Sequence, residues 1–290
     1  MTLIYSDPEF LDHETGDHPE SPQRLQAITA RLEQSGLLDR CDRPDWPHAS
    51  AAEIQFVHTA AMRTSVEGFS LKGGGRIEAD TQLSHESYHV ATRASGAAID
   101  AVRRVIGGEA ANALCLSRPP GHHATPTMPM GFCLFNHVAI AAQYALTQLD
   151  LDRVLIVDWD VHHGNGTQDA FWRNEQVGFL SVHRYPFYPG TGDSLEIGEG
   201  DGLGYTRNVP LKAGVSRRDF IAQFERALQD MTAKIKPQLV LLSAGFDAHA
   251  ADPVGNLGLE TEDYAELTQI VLDAASVYAD GKLVSILEGG

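Results

Sequence analysis

Residues 154–167 read VLIVDWDVHHGNGT, and they indicate the fold class more clearly than any other segment. Its first part, VLIVDW (154–159), is a nearly continuous apolar run, which is typical of a strand buried on both faces of a sheet. Helical patterns separate it from similar runs elsewhere. These runs are ALCLS (113–117), VGFLSV (177–182), QLVLLSA (238–244) and KLVSIL (282–287). The sequence therefore predicts an α/β fold with a doubly wound, parallel sheet.

Five segments have the apolar spacing of amphipathic helices. The first begins at Ser21 with Pro22 behind it, and Gly36 closes it. Ser216 is predicted to cap another, with Asp219 at the capping-box position. The remaining three are predicted at 86–106, at 136–149 and from Thr261 onward. No repeat or linker divides the chain, so we expect residues 1–290 to form one domain.

The composition narrows the classes of partner. The chain has 39 acidic and 22 basic residues and a formal net charge of −17, which disfavours a nucleic-acid-binding face. The acidity suits either solubility or a cationic substrate. The three cysteines, Cys41, Cys115 and Cys133, form no CxxC pair, which indicates a reducing compartment. No apolar run reaches the ~18 residues of a membrane span, and the N-terminus lacks signal-peptide features, so we expect a cytoplasmic protein without membrane contact.

Ionisable residues follow all five apolar runs. The segments after the runs are RPPGHH, DWDVHHGNGT, His183 with Arg184, GFDAH and EGG. Open parallel sheets bind ligands beyond the carboxyl ends of their strands. We therefore expect these residues to form a single site at one edge of the sheet.

Asp158, Asp160 and His162 alternate along the chain and would share one face of an extended segment. Buried carboxylates need a cation or another partner. Asp160 and His162, joined by Asp247 from a second strand end, would supply three metal ligands and leave positions open for water and substrate. Such a ligand set fits Zn²⁺, with Fe²⁺ or Mn²⁺ as alternatives.

The adjacent His122 and His123 suit general acid and base catalysis, because the imidazole pKa lies near neutrality. Each ring needs a partner on its other nitrogen, and Asp158 and Asn165 are the candidates. An aspartate would stabilise a protonated ring, whereas an asparagine would leave its partner closer to neutral.

Two aromatic residues, Phe132 and Tyr188, lie near these strand ends. Aromatic loop residues often serve only loop packing. Beside a metal, they would instead form the walls of a narrow slot for an unbranched alkyl chain.

Six motifs together resemble the histone deacetylase family, closest to its class II members and their bacterial relatives. They are RPPGHHA, GFCLFN, DWDVHHGNGT, SVHRYPFYPGTG, GFDAHAADP and the terminal LEGG. The resemblance implies the arginase–deacetylase fold, with a sheet of about eight strands. It also implies zinc as cofactor and a structural K⁺, which would lie near Ser181 and the main chain around Asp158, Asp160 and His162.

The same resemblance assigns roles to individual residues. It makes Asp160, His162 and Asp247 the zinc ligands, and His122 and His123 the paired catalytic histidines, with Asp158 and Asn165 as their partners. It makes Phe132 one wall of an acyl-lysine tunnel and the Gly131 carbonyl the acceptor for the substrate amide. Tyr188 occupies the opposite wall, where the family usually has Phe. Asp80 corresponds to a rim acid that binds the substrate backbone, and Arg24 to an arginine near an internal acetate channel.

In the family, EGG is followed by a tyrosine that polarises the scissile carbonyl, so we expect one after Gly290. The expected function is zinc-dependent hydrolysis of acetyl-lysine or another acylated primary amine. The alternatives are an acetylpolyamine amidohydrolase and a catalytically weak protein that binds acyl-lysine. An arginase-type ureohydrolase is disfavoured, because its second metal site would need more carboxylates than these motifs contain. A homo-oligomer is left open.

Overall fold

The sheet in the computed structural model, which describes residues 1–290, has seven strands, all of them parallel. Two further short strands form an antiparallel hairpin. In chain order the nine strands are β1 (Thr2–Tyr5), β2 (Gly75–Arg76), β3 (Gln82–Leu83), β4 (Asn112–Cys115), β5 (Val154–Asp158), β6 (Val177–Arg184), β7 (Thr206–Leu211), β8 (Leu239–Ala244) and β9 (Leu283–Leu287). The order in the large sheet is β1-β4-β9-β8-β5-β6-β7, and β2 pairs with β3. The predicted α/β class with a parallel sheet is confirmed, with seven strands in place of about eight.

Helices cover both faces of this sheet. They are α1 (Pro22–Gln34), α2 (Ala51–Ile54), α3 (Ala60–Leu71), α4 (Ser87–Ile106), α5 (His137–Gln148), α6 (Asn165–Phe171), α7 (Arg217–Ile235) and α8 (Thr261–Tyr278). All five helices expected from the sequence are present. Ser216 accepts a hydrogen bond from the Asp219 backbone N–H and so caps α7 as predicted.

Strand β5 shows why the apolar runs belong inside the sheet. Val154 and Ile156 pack into the core beneath α4 and α5, whereas Leu155 and Val157 pack into the core beneath α7 and α8. All four are fully buried. A strand with helices over both faces needs an apolar side chain at every position. Its sequence therefore lacks the alternation of apolar and polar residues that a half-exposed strand shows.

One premise of the site prediction is wrong. Strand β5 ends at Asp158, and the chain then turns, so Asp158, Asp160 and His162 do not lie on one face of an extended segment. The turn sends the Asp158 side chain towards His122, while Asp160 and His162 face Asp247. The three residues still lie close together, but this is because the chain turns after β5 and not because side chains alternate along a strand.

The sheet order brings four strand ends together. β4, β9, β8 and β5 are consecutive neighbours and run in the same direction, so the segments that follow them converge at one edge. None of the helices combines the length and the apolar character that a bilayer crossing requires.

Candidate active site

A cavity of about 470 Å³ opens at the carboxyl ends of these four strands. Every strand in the group contributes to its lining through the loop that follows it. The lining residues that carry the predicted chemistry are Asp80, His122, His123, Gly131, Phe132, Asp160, His162, Tyr188 and Asp247. His183 and Arg184, which the sequence analysis placed in the same site, do not line the cavity; His183 pairs with the Gly192 carbonyl and Arg184 donates to the Gly255 carbonyl.

Asp160, His162 and Asp247 form a compact cluster in the cavity wall. Their ligand atoms all lie within 4.8 Å of one another. Nδ1 of His162 lies 3.0 Å from Oδ1 of Asp160 and 3.0 Å from Oδ2 of Asp247. The remaining carboxylate oxygens accept backbone hydrogen bonds, from Gly289 N–H to Asp160 and from Val161 N–H to Asp247, both at 2.9 Å. These outer contacts orient the carboxylates towards the cavity.

The cluster fits a divalent cation on three observations. Two carboxylates and one imidazole are a donor set typical of Zn²⁺ or Fe²⁺. Burial, and then the neighbouring Asp160 charge, raise the pKa of Asp247 to about 6, and a bound cation would offset this cost of ionisation. The backbone also leaves room beside the cluster, because a Cβ on Gly289 would lie 2.5 Å from Asp247 Oδ2 and 2.6 Å from Asp160 Oδ2.

The histidine pair lies beside this cluster, with ring centroids 4.0 Å apart. His122 Nδ1 is 2.9 Å from Asp158 Oδ2, and His123 Nδ1 is 2.8 Å from Asn165 Oδ1. Both rings are almost completely buried. The predicted partners are therefore in hydrogen-bonding position, one charged and one neutral.

The partners separate the two imidazoles electrostatically. Burial alone would lower the pKa of His122, but Asp158 and Asp160 outweigh it and hold that pKa well above its ordinary value. Burial, and then the charges of His122 and His162, hold the pKa of His123 well below its ordinary value. These opposite shifts favour the imidazolium form of His122 and the neutral form of His123.

Aromatic rings border the entrance to the cluster. Tyr188 meets the His123 ring edge to face, with centroids 5.1 Å apart. Phe132 adopts a φ of +70° after Gly131 at +56°, so two consecutive left-handed residues turn the loop into the cavity. Phe187, which the sequence analysis did not single out, also lines the cavity and stacks on His162 at 5.1 Å. Three aromatic rings therefore line the cavity.

The three looser expectations have different outcomes in the structure. Asp80 lines the cavity, as a rim acid would. Arg24 also lines it and donates hydrogen bonds to the Glu288 and Gly290 carbonyls and to the Glu20 carboxylate. Ser181 lies in β6 and its hydroxyl pairs with His183 Nδ1 at 2.9 Å, away from the cavity lining.

Glu288 is a buried residue that the sequence analysis quoted but gave no role. Its Oε2 accepts hydrogen bonds from the backbone N–H groups of Gly121 and His122, at 2.6 and 3.1 Å, and its Oε1 accepts one from Ser243. Burial raises the pKa of Glu288 to about 7. The residue joins the end of β9 to the histidine loop and so fixes where the pair lies. Its position directly after an apolar run was the only signal for this role.

Comparison with known proteins agrees with this geometry. The family model described as "Histone deacetylase domain" matches residues 18–290. The histone deacetylase-like amidohydrolase of Pseudomonas aeruginosa is 38% identical over 274 residues, which cover 94% of this chain and 72% of that protein. The human polyamine deacetylase HDAC10 is 38% identical over 300 residues, which cover 99% of this chain and 43% of that protein. The crystal structure of the HDA15 HD domain superposes with a TM-score of 0.94 at 38% identity, covering 100% of this chain and 83% of that one.

The fold and the site together define a metal-dependent amidohydrolase. The chain belongs to the histone deacetylase family, as its motifs indicated.

Proposed function

We propose that the protein is a zinc-dependent deacylase that hydrolyses the amide of acetyl-lysine or of a related acylated primary amine. One observation carries the proposal. Asp160, His162 and Asp247 lie beside the histidine pair in one cavity that aromatic rings also line. When bound by these three residues, a divalent metal would supply Lewis-acid activation of the amide and of a water molecule.

In this proposal His123 is the general base. Its Nδ1–H donates to Asn165 Oδ1, so the lone pair is on Nε2. Its lowered pKa keeps the ring neutral and able to accept a proton from water at neutral pH. The same atom then carries the proton for the leaving amine.

His122 has a different task. Asp158 holds it as an imidazolium, and its Nε2 lies 3.8 Å from Asp160 Oδ1. A fixed positive charge at this place stabilises negative charge that develops on the substrate oxygen, without any rearrangement during the reaction. The two histidines therefore divide electrostatic stabilisation and proton transfer between them.

The slot determines the shape of the substrate. Phe132 and Tyr188 would hold an unbranched alkyl chain, and the Gly131 carbonyl would accept the substrate amide N–H. Asp80 at the rim would accept a hydrogen bond from a peptide backbone. The tyrosine hydroxyl on one wall would also admit a more polar acyl group than a phenylalanine wall.

An acetylpolyamine is a second candidate substrate, favoured by acids at the mouth of the cavity. Asp80 and Asp252 line the cavity. Burial, and then the neighbouring Glu78, raise the pKa of Asp80. A relative with 38% identity is named a polyamine deacetylase. A cationic amine would be attracted to this rim, and the attraction would weaken with salt.

Steady-state kinetics of the zinc-loaded full-length protein test the proposal. We expect hydrolysis of an acetyl-lysine peptide, of acetylputrescine, or of both, and the ratio of kcat/KM values identifies the substrate. If acetylputrescine is preferred, Asp80→Asn should raise KM for it more than for the peptide, and added salt should do the same. Tight binding of acyl-peptide without turnover would instead identify an acyl-lysine-binding protein and contradict the proposal.

Two further assignments are proposals of the same kind. A K⁺ near Ser181 would be structural, and no catalytic step depends on it. Fe²⁺ is the alternative occupant of the metal site. The single-domain organisation, the cytoplasmic location and the oligomeric state stay predictions.

A further inference from the structure

A second group of metal-ligating side chains lies outside the cavity. It contains Glu9, His48 and His89, whose ligand atoms all lie within 4.8 Å of one another. None of the three lines the active-site cavity. We propose that these residues form a peripheral site for a divalent transition metal, with Zn²⁺ as the expected ion.

The distances between the groups are those of co-ligands and too long for good hydrogen bonds. His89 Nε2 lies 3.5 Å from Glu9 Oε1, and His48 Nε2 lies 3.6 Å from Glu9 Oε2. A hydrogen bond between nitrogen and oxygen is about 2.7–3.2 Å long. Two ligands on one tetrahedral zinc, with bonds of about 2.0–2.1 Å, lie about 3.4 Å apart.

No hydrogen bond joins the side-chain atoms that converge at this place. His48 Nδ1 lies 3.1 Å from the Thr92 hydroxyl, which itself donates to the His89 carbonyl, so the ring proton belongs on Nδ1. Nε2 of His48 therefore presents a lone pair towards Glu9. Oε1 of Glu9 is shielded from solvent and has no hydrogen-bond partner. A bound cation would satisfy the Glu9 carboxylate oxygen and the His48 lone pair, which no hydrogen bond joins.

The one nearby cation is already engaged. Arg93 donates to Asp7 Oδ2 at 2.7 and 3.0 Å, to Asp45 Oδ1 at 3.1 Å and to the Trp46 carbonyl. Its Nε stays 4.0 Å from Glu9 Oε2. With two aspartates balancing one guanidinium, the surroundings of the cluster carry net negative charge, which favours a divalent cation.

The two imidazoles are accessible and suitably placed. Their rings stack with centroids 4.0 Å apart and planes inclined by 27°. The side chain of His89 is 58% exposed and that of His48 is 32% exposed, so a metal ion and a water ligand can reach the site. Repulsion between two stacked cations disfavours protonation of both rings, and metal binding requires neutral rings.

The three ligands come from three separate segments. Glu9 lies in the 3₁₀ turn Pro8–Leu11, His48 in the loop before α2, and His89 in the first turn of α4. A bound metal would join these segments and stabilise the folded chain by mass action. The expected role is structural, and it is independent of the proposed chemistry in the cavity.

The test measures zinc binding by the full-length Asp247→Ala protein, in which the catalytic cluster is broken. We expect one zinc per chain to remain, measured by elemental analysis after dialysis, and Co²⁺ to give the absorption of a nitrogen- and oxygen-ligated site. Adding Glu9→Gln or His89→Ala should remove that ion, with at least about a 10-fold loss of affinity, because even loss of an outer partner of a ligand costs this much. His85→Ala, an exposed histidine just before α4, is the matched control and should keep the ion.

A second readout is the melting temperature. Zinc should raise it for the Asp247→Ala and the Asp247→Ala/His85→Ala proteins but not for Asp247→Ala/Glu9→Gln. The near-isosteric glutamine keeps the test valid if a histidine variant fails to fold. The proposal is overturned if Asp247→Ala binds zinc only at millimolar concentration, or if the Glu9 and His89 substitutions leave binding and melting unchanged. Neither result depends on whether the enzyme is a deacylase.

Discussion

The two histidines of the pair differ in their hydrogen-bond partners. The rings of His122 and His123 are adjacent and equally buried, yet one faces Asp158 and the other Asn165. The sequence analysis anticipated this difference because both partners lie in the DWDVHHGNGT motif. It could not anticipate Glu288, because nothing in the letters EGG shows that its carboxylate accepts hydrogen bonds from two backbone N–H groups of a loop more than 160 residues away.

At this scale we predict the effect of removing the base. His123→Ala should lower the deacetylation rate by about 10²–10⁴-fold, because the proton acceptor is lost, while the metal stays bound. The measurements are kcat on an acetylated amine and metal content by elemental analysis. Loss of the metal together with the rate would make His123 a ligand and contradict its assigned role.

A charge added beside the same ring should shift the pH dependence. Asn165→Asp places a carboxylate against His123 Nδ1 and should raise the His123 pKa. Because the base must be unprotonated, the acidic limb of the kcat/KM profile should then move to higher pH. An unchanged limb in that variant would indicate that another group accepts the proton.

The helices and strands differ in how clearly the sequence predicts them. Helix α7 was predicted from a capping serine and an apolar face, and β5 from a run that is apolar on both faces. Strand β7, in contrast, was missed. It is an edge strand that contains Arg207 and Pro210, and edge strands tolerate a proline and need no continuous apolar run. The hairpin of β2 and β3 was also missed, because two-residue strands carry almost no periodic signal.

The loop after β9 provides the prediction at the scale of elements. Gly289 passes so close to the metal-ligating cluster that an added methyl would collide with both carboxylates. Gly289→Ala should therefore lower metal affinity and activity together, with little change in the helical circular dichroism. Gly68→Ala is the matched control, since a Cβ on that helical glycine meets no atom within 4 Å. Full metal binding by Gly289→Ala would show that the loop does not constrain the site.

At the scale of the whole molecule, several buried histidines outside the cavity are neutral. His58 accepts a hydrogen bond from the Asn136 N–H through Nε2 and donates to the Thr125 carbonyl through Nδ1, so only its neutral form satisfies both partners. Burial lowers the pKa of His58 to about 4, and that of His137 to about 4 as well. These rings link the stability of the fold to pH.

The sign of this linkage follows from the lowered pKa values. The unfolded chain binds a proton on each ring near pH 6.5, whereas the folded chain resists protonation until about pH 4, so stability is complete above pH 6.5 and falls as the pH approaches 4. The free energy of unfolding should fall when the pH is lowered from about 7.5 to 5. We predict that this fall is about 2 kcal/mol smaller in His58→Gln than in the wild type. Urea unfolding at the two pH values measures it, with His85→Ala as the exposed control. Equal pH dependence in wild type and His58→Gln would refute the linkage.

Metal reconstitution of the full-length enzyme tests the central claim most directly. The protein is stripped with a chelator, zinc is added back in steps, and release of acetate from an acetylated amine is followed. We predict that stripping lowers the rate by at least about 10²-fold, that zinc restores it, and that Asp247→Ala stays inactive at every zinc concentration. Hydrolysis by the stripped protein at the wild-type rate, or recovery of Asp247→Ala with zinc, would contradict it.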